Sequence, residues 1–312
     1  MGTFVQILIS GVALGCLYAL VSLSFVVLLK ATGHFNLLPG SFVLLGAYTT
    51  YQLHRNLGLN FWLALAIAIV IIAAGGLVIH YVIFQRIDRR ATAHAAGLAI
   101  LLVTIGLLSL SQAIAVSGWG ADVLLLGDPW GLSTLRLGSV TISERDIWVI
   151  GLSLVVLLIF YVVIQHTRIG VGMRALASDS QAAFVQGISP RRVAPYAWLM
   201  SAGAAVLAGV LMATEAGGGL RPTLDIVAFT ALPALILGGI RSLPGCVAGG
   251  LVLGIVQQLA LGYAPPSFGQ GVSSGLPRII LLISLLVRPS CVLATRHFRG
   301  ARHGRRCQRR RL

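Results

Sequence analysis

The residues that could carry catalytic chemistry are scattered singly through this chain. Its seven histidines run from His34 to His303 without a His-Glu-x-x-His pair, and no Cys-x-x-Cys occurs. Cys291, His297, His303 and Cys307 near the C-terminus match no common zinc spacing. No catalytic residue and no metal site is therefore expected. The sole lysine, Lys30, ends an apolar run and stands in no Gly-x-x-x-x-Gly-Lys-Ser/Thr loop. The chain is expected to bind no cofactor, and any ATP it depends on must be hydrolysed by another subunit.

Ionisable groups inside a membrane are costly and mark pathways, and here they are scarce: His80, Glu215 and Asp225 lie near the ends of apolar runs. The polar groups inside those runs are mostly neutral, among them Ser10, Tyr18, Thr104, Ser111, Gln112 and Gln257. Such a lining suits a neutral or zwitterionic solute. The same groups also suit hydrogen bonds between helices.

One loop, residues 167–192, reads as a device: TRIGVGMRALASDSQAAFVQGISPRR. Ser178, Asp179 or Ser180 can cap a short helix over 181–186, Gly187 can supply a left-handed stop, and Pro190 blocks continuation. Ala182, Ala183, Phe184 and Val185 on such a helix would be exposed without a core of their own. The helix is expected to dock into a partner, with an interfacial position on the membrane as the alternative.

The elements that position these groups are membrane helices. The chain has 312 residues, of which 57% are hydrophobic and only 10% charged, against about 25% charged in soluble domains. That excludes an ordinary soluble domain. Apolar runs at 5–29, 37–53, 61–84, 95–118, 147–165, 193–216, 226–240, 243–262 and 276–287 predict an all-α, polytopic bundle. Eight or nine segments are expected, because the second, seventh and ninth runs are short for a core about 30 Å thick. No Lys or Arg precedes Lys30, so the first run is expected to stay as a membrane helix. Gly-x-x-x-Gly pairs such as Gly11/Gly15 and Gly250/Gly254 favour close helix packing.

The net charge of +15 falls to +7 without eight arginines of the last 17 residues. Most remaining basic residues sit in short loops, a topology signal that argues against nucleic acid as a partner. Loops 85–94 and 166–192 carry the arginine excess and are expected on the cytoplasmic side. Threading nine segments then puts the N-terminus outside and the tail inside. The division expected is a transmembrane permease-like unit over 1–290 and a disordered or lipid-associated Arg-rich tail over 291–312.

Four blocks of this sequence resemble the LivH/LivM family of permease subunits of branched-chain amino acid ABC importers. They are GVALGCLYALVSLSFVVLLKATGHFNLLPGSFVLLGAY over 11–48; Thr104-Ile105-Gly106 with Gln112 and Trp119-Gly120; the loop carrying Thr167 to Gly170, Met173-Arg174-Ala175, Ala182-Ala183 and Gly187-Ile188; and Leu237 to Gly245 with Gly249-Gly250. They occur in the family's order. Asn36-Leu37-Leu38-Pro39-Gly40, Arg241 and Gln257 depart from the family pattern, which leaves the solute open.

The resemblance implies an ABC-importer-like bundle in a bacterial-type inner (plasma) membrane. Its partners would be a second, homologous permease subunit, two cytoplasmic ATPase subunits and an extracytoplasmic substrate-binding protein. The solute would be a branched-chain or related amino acid, with urea or a short amide as alternatives. Tyr18, Asn36, Gly40, Tyr48, Thr104 and Gln112 become candidates for the solute pathway. Asn36 and Gly40 are placed at a break between the first two segments, with Pro39 interrupting the helix. Gly170, Arg174, Ala175, Asp179, Ala182, Ala183, Gly187 and Ile188 become candidates for coupling to the ATPase. An ion-coupled carrier or channel, in which one chain would suffice, is the competing class; a membrane-bound enzyme comes third.

Overall fold

The computed structural model describes residues 2–90, 93–127, 134–137, 140–214, 219–239, 242–263, 275–280 and 282–283. The expected tail, Glu215, Ile240 and Arg241 lie outside the described residues. Helix α1 (Gly2–Thr32) runs without a breaker until Gly33, which takes φ +73°. Helix α2 (Leu38–Tyr51) begins with Pro39 in its first turn, where a missing N–H costs nothing. It continues through a π-turn over Gln52–Asn56.

Helix α3 (Phe61–Ile79) is capped by Asn60, whose side chain accepts from the Trp62 N–H, and passes through a second π-turn at His80–Phe84 into α4 (Gln85–Arg90). Then come α5 (Ala93–Trp119), strands β1 (Thr134–Leu137) and β2 (Val140–Ser143), and α6 (Glu144–His166). The strands form an antiparallel hairpin with Leu135 opposite Ile142. The loop follows as α7 (Arg168–Ser178) and α8 (Ser180–Val185), and then α9 (Pro190–Ala213), α10 (Ile226–Gly238) and α11 (Leu243–Tyr263). Residues 275–280 and 282–283, within the ninth apolar run, are also helical.

Among the described residues, six helical stretches are long and apolar enough to cross a membrane. They correspond to the first, third, fourth, fifth, sixth and eighth apolar runs. Helix α10, with 13 residues, reaches only about 20 Å at 1.5 Å per residue, whereas α2 with its π-turn runs unbroken from Leu38 to Asn56. Helix α10 is a half-length element.

Burial separates the long helices into two classes. The most apolar windows of α1 and α9 are 83% and 78% buried, against 22–33% for the other four spans. Helices α1 and α9 are the centre, and α3, α5, α6 and α11 turn broad apolar faces outward. Helices α1 and α11 approach through glycine: a Cβ on Gly15 would stand 2.7 Å from the Leu251 Cα, and one on Gly254 would run into the backbone of Gly15. The α1 and α11 pairs foreseen in sequence therefore face each other, which permits backbone-to-backbone packing.

Candidate functional site

Helices α2 and α10 begin at one place and run to opposite ends of the bundle. A Cβ on Gly40, in the first turn of α2, would lie 3.0 Å from Leu108 Cδ2, 3.1 Å from Ala228 Cβ and 3.3 Å from the Asp225 carbonyl oxygen. From this junction α2 rises to put Tyr48 against Trp119 at the last residue of α5, with ring centroids 5.2 Å apart. Helix α10 instead runs past Ser22, whose hydroxyl donates to the Ala231 carbonyl at 2.9 Å, to a tight contact between Gly238 and Gly245. The first-turn N–H groups of both helices, and the positive ends of both helix dipoles, thus meet within the bundle.

One carboxylate sits at this meeting point. Asp225, just before α10, is 2% exposed, and the Gln112 amide donates to both its oxygens, at 3.0 and 2.8 Å. A buried acid is costly unless hydrogen-bonded, and Gln112 and the α10 N-terminus supply that compensation. Beside it the Ser111 hydroxyl donates to Ser41 Oγ at 3.2 Å, tying α5 to α2. The inward stripe of α5, Ile100, Thr104, Leu108, Ser111 and Ala115, falls on helical spacing. Thr104 is thus one turn from Leu108, and its hydroxyl donates to its own helix at the Leu101 carbonyl, 2.8 Å away.

The break before α2 spans residues 33–37 and holds Asn36 but not Gly40, which is inside the helix with Pro39. The expected interruption at Pro39 is corrected: proline at the first turn starts this helix. Asn36 Oδ1 accepts from the Leu38 N–H at 2.8 Å, while its Nδ2 is buried without a hydrogen-bond partner. Backbone irregularity inside a membrane bundle persists only against protein or an aqueous cavity. Gly40 and Gln112 are therefore brought together at the junction; Asn36 stands in the break before α2, and Thr104 lies about two turns from Gln112 along α5. Tyr18 and Tyr48 lie elsewhere: Tyr18 Oη donates to Gln257 Oε1 at 2.8 Å across the α1–α11 seam, and the Tyr48 hydroxyl is buried without a partner. Asp225, around which the junction is organised, stands out in sequence as a rare ionisable group at the edge of an apolar run but is not among the six pathway candidates.

The 167–192 loop contains two helices where one was expected. Thr167 caps α7, its Oγ1 accepting from the Gly170 N–H at 3.2 Å. Gly170 packs so closely that a Cβ would overlap the Ile164 backbone. Arg174 reaches back to α6, donating to the Gln165 side chain and carbonyl. The Ala175 carbonyl accepts from the Asp179 N–H at 3.1 Å, and Asp179 Oδ1 in turn accepts from the Ala182 N–H at 3.0 Å. Of the three possible caps for α8, the described geometry thus uses Asp179.

Gly187 takes φ +84°, a conformation that L side chains rarely adopt, and the Ile188 N–H donates to the Ala183 carbonyl at 3.0 Å. The expectation of an exposed Ala183 is corrected: it is 4% exposed and belongs to the apolar core, because the turn at Gly187 folds that face of α8 inward. Ala182, Phe184 and Val185 face outward, the last two 66% and 86% exposed. Helix α7, which was not expected, buries Gly170 and Gly172 together with Met173 and Leu176.

Residues 7–285 match the family described as the permease component of the branched-chain amino acid transport system. The chain is 31% identical over 306 residues to the high-affinity branched-chain amino acid transport system permease protein LivH of Escherichia coli K12, covering 93% of this chain and 95% of the relative. BraD of Pseudomonas aeruginosa, a permease protein of the same description, is 25% identical with the same coverage. LivM of E. coli K12 is 26% identical over 273 residues, 78% of this chain and 61% of LivM. Among solved structures, PsaBC from Streptococcus pneumoniae, determined in complex with Fab, shares the fold with a TM-score of 0.52 at 14% identity over 91% of each chain. With six long apolar spans among its described residues, the starts of α2 and α10 meeting within the bundle and a family match over nearly its whole length, the chain belongs to the branched-chain amino acid transport permease family.

Proposed function

We propose that the chain is one permease subunit of an ATP-driven importer of branched-chain amino acids. The observation that carries this reading is the family match over residues 7–285. The exposed Phe184 and Val185 on the α7–α8 loop support it, since that loop presents apolar side chains on a rigidly tied element. The loop lies on the cytoplasmic side by its arginines, and ATPase subunits dock there. The N-terminus and the β1–β2 hairpin are then extracytoplasmic, where a substrate-binding protein delivers the solute, and the tail is cytoplasmic. A second, homologous permease completes the pore. This chain holds no cofactor; ATP is bound and hydrolysed by the partner subunits.

The junction of α2 and α10 is the pathway element of this reading. Helix N-termini attract a carboxylate and Asp225 attracts an ammonium group, so the junction, with Gly40 and Gln112 at it and Asn36 and Thr104 along the same elements, suits a zwitterion. ATP-driven rearrangement at the loop shifts a two-state bundle between its openings.

Reconstitution with cognate ATPases and binding protein is expected to give ATP-dependent L-leucine uptake, with urea and acetamide failing to compete. Phe184→Glu should abolish ATPase association, by burying a charge at the interface, while the purified permease keeps its melting temperature. Ion-gradient-driven uptake by this chain alone, or full ATP-dependent uptake by the variant, would overturn the reading.

A further inference from the structure

A second polar constellation stands at the end of the bundle opposite the α7–α8 loop. Helix α6 leads from Asp146 to His166, beside the loop, over 20 residues, about 30 Å of helix. At its first turn, facing α1, lies a partly open cleft of about 190 Å³. Its polar end is Ser10, Arg145 and Asp146; its apolar wall is Ala13, Leu14 and Leu17.

The charges at the polar end are anchored yet incompletely used. Asp146 Oδ2 accepts from the Ser10 hydroxyl at 2.8 Å, and Arg145 Nη2 donates to the Leu211 carbonyl of α9 at 3.2 Å. Between the two charges Nη1 and Oδ1 are 3.5 Å apart, well beyond the 2.7–2.9 Å of a tight charge-assisted bond. Arg145 Nε is buried with no hydrogen-bond partner. A fixed cation and a fixed anion side by side, loosely paired, with an aliphatic wall next to them, form the complement of an amphipathic zwitterion.

We propose that this cleft is a receiving site for a free α-amino acid with a small branched side chain. Its carboxylate binds Arg145, its ammonium group binds Asp146, and its side chain rests on Ala13, Leu14 and Leu17. The site rests on the reading of the chain as an amino acid permease and adds to it a binding station on α1 and α6, distinct from the junction of α2 and α10. One turn further along α1 the Tyr18–Gln257 hydrogen bond closes the α1–α11 seam beneath it.

The test is equilibrium binding of radiolabelled L-leucine to the full chain, purified into lipid nanodiscs with the subunits that accompany it and without binding protein. Saturable binding is expected, competed by L-valine at least tenfold better than by 4-methylpentanoate or 3-methylbutylamine, which each lack one charge. Arg145→Gln and Asp146→Asn should each weaken binding at least tenfold. Leu14→Trp, which fills the cleft and leaves the charged pair in place, should abolish it; this variant decides the matter should the charge variants fail to fold. No saturable binding by the wild type, or unchanged binding in Leu14→Trp, overturns the site. ATP-dependent leucine uptake measured in parallel separates the two readings: uptake that persists without cleft binding sinks only the cleft, whereas absent uptake sinks the importer reading itself.

Discussion

At the junction of α2 and α10 a buried carboxylate and the Gln112 amide are engaged with each other, whereas the α7–α8 loop buries one face, with Met173, Leu176 and Ala183, and leaves Phe184 and Val185 outside. Asp225 and Gln112 satisfy each other within the bundle; Phe184 and Val185 meet no core of their own. A self-satisfied polar cluster fixes where two helices start. An unsatisfied apolar pair on a rigid loop awaits another surface. The difference shows that damage to the junction should be felt in the fold and in transport alike, while damage to the loop should be felt in transport alone.

The severest way to break that contrast is Gly209→Leu. Gly209 of α9 lies against the Val43 backbone of α2, where even a Cβ would collide with the carbonyl. Overpacking of this kind costs about 3 kcal/mol or more, and thermal unfolding in lipid should show a large fall in melting temperature. Next comes Asp225→Ala, which leaves the Gln112 amide without its acceptor. A cost of about 1–3 kcal/mol is expected, with uptake lowered at least about tenfold, equivalent to roughly 1.4 kcal/mol; Asp225→Asn should recover stability better than uptake. The mildest is Gly187→Val, which forces a β-branched residue to φ +84° at a local cost of about 1–2 kcal/mol. Uptake should fall while the melting temperature of the membrane bundle holds within a degree or two. A lowered melting temperature equal to that of Asp225→Ala would erase the distinction between the two regions.

Length and apolarity made the six described spans readable in sequence, and runs 37–53 and 226–240 stood out as short for full crossings. What sequence could not reveal is that these two start at the same point. Gly40 and Asp225 are nearly two hundred residues apart, and no periodicity links them. The loop was readable at its stops, because Asp179 and Gly187 act through their own backbone neighbours. Ala183 was misread as exposed because six residues of α8 are too few to define a face by pattern. The hairpin of β1 and β2 was likewise missed, its strands having only four residues each.

The glycine seam between α1 and α11 sets a timetable for biosynthesis. Gly15 leaves the ribosome about 240 residues before Gly250 and Gly254, an interval of roughly 10 to 50 s at about 5–20 residues per second. Throughout that time the most deeply buried helix of the finished protein has its partner surface bare in the lipid. Chains that stop short of α11 should therefore carry an unclosed small-residue face that membrane quality control can recognise, until α11 is made and seals α1.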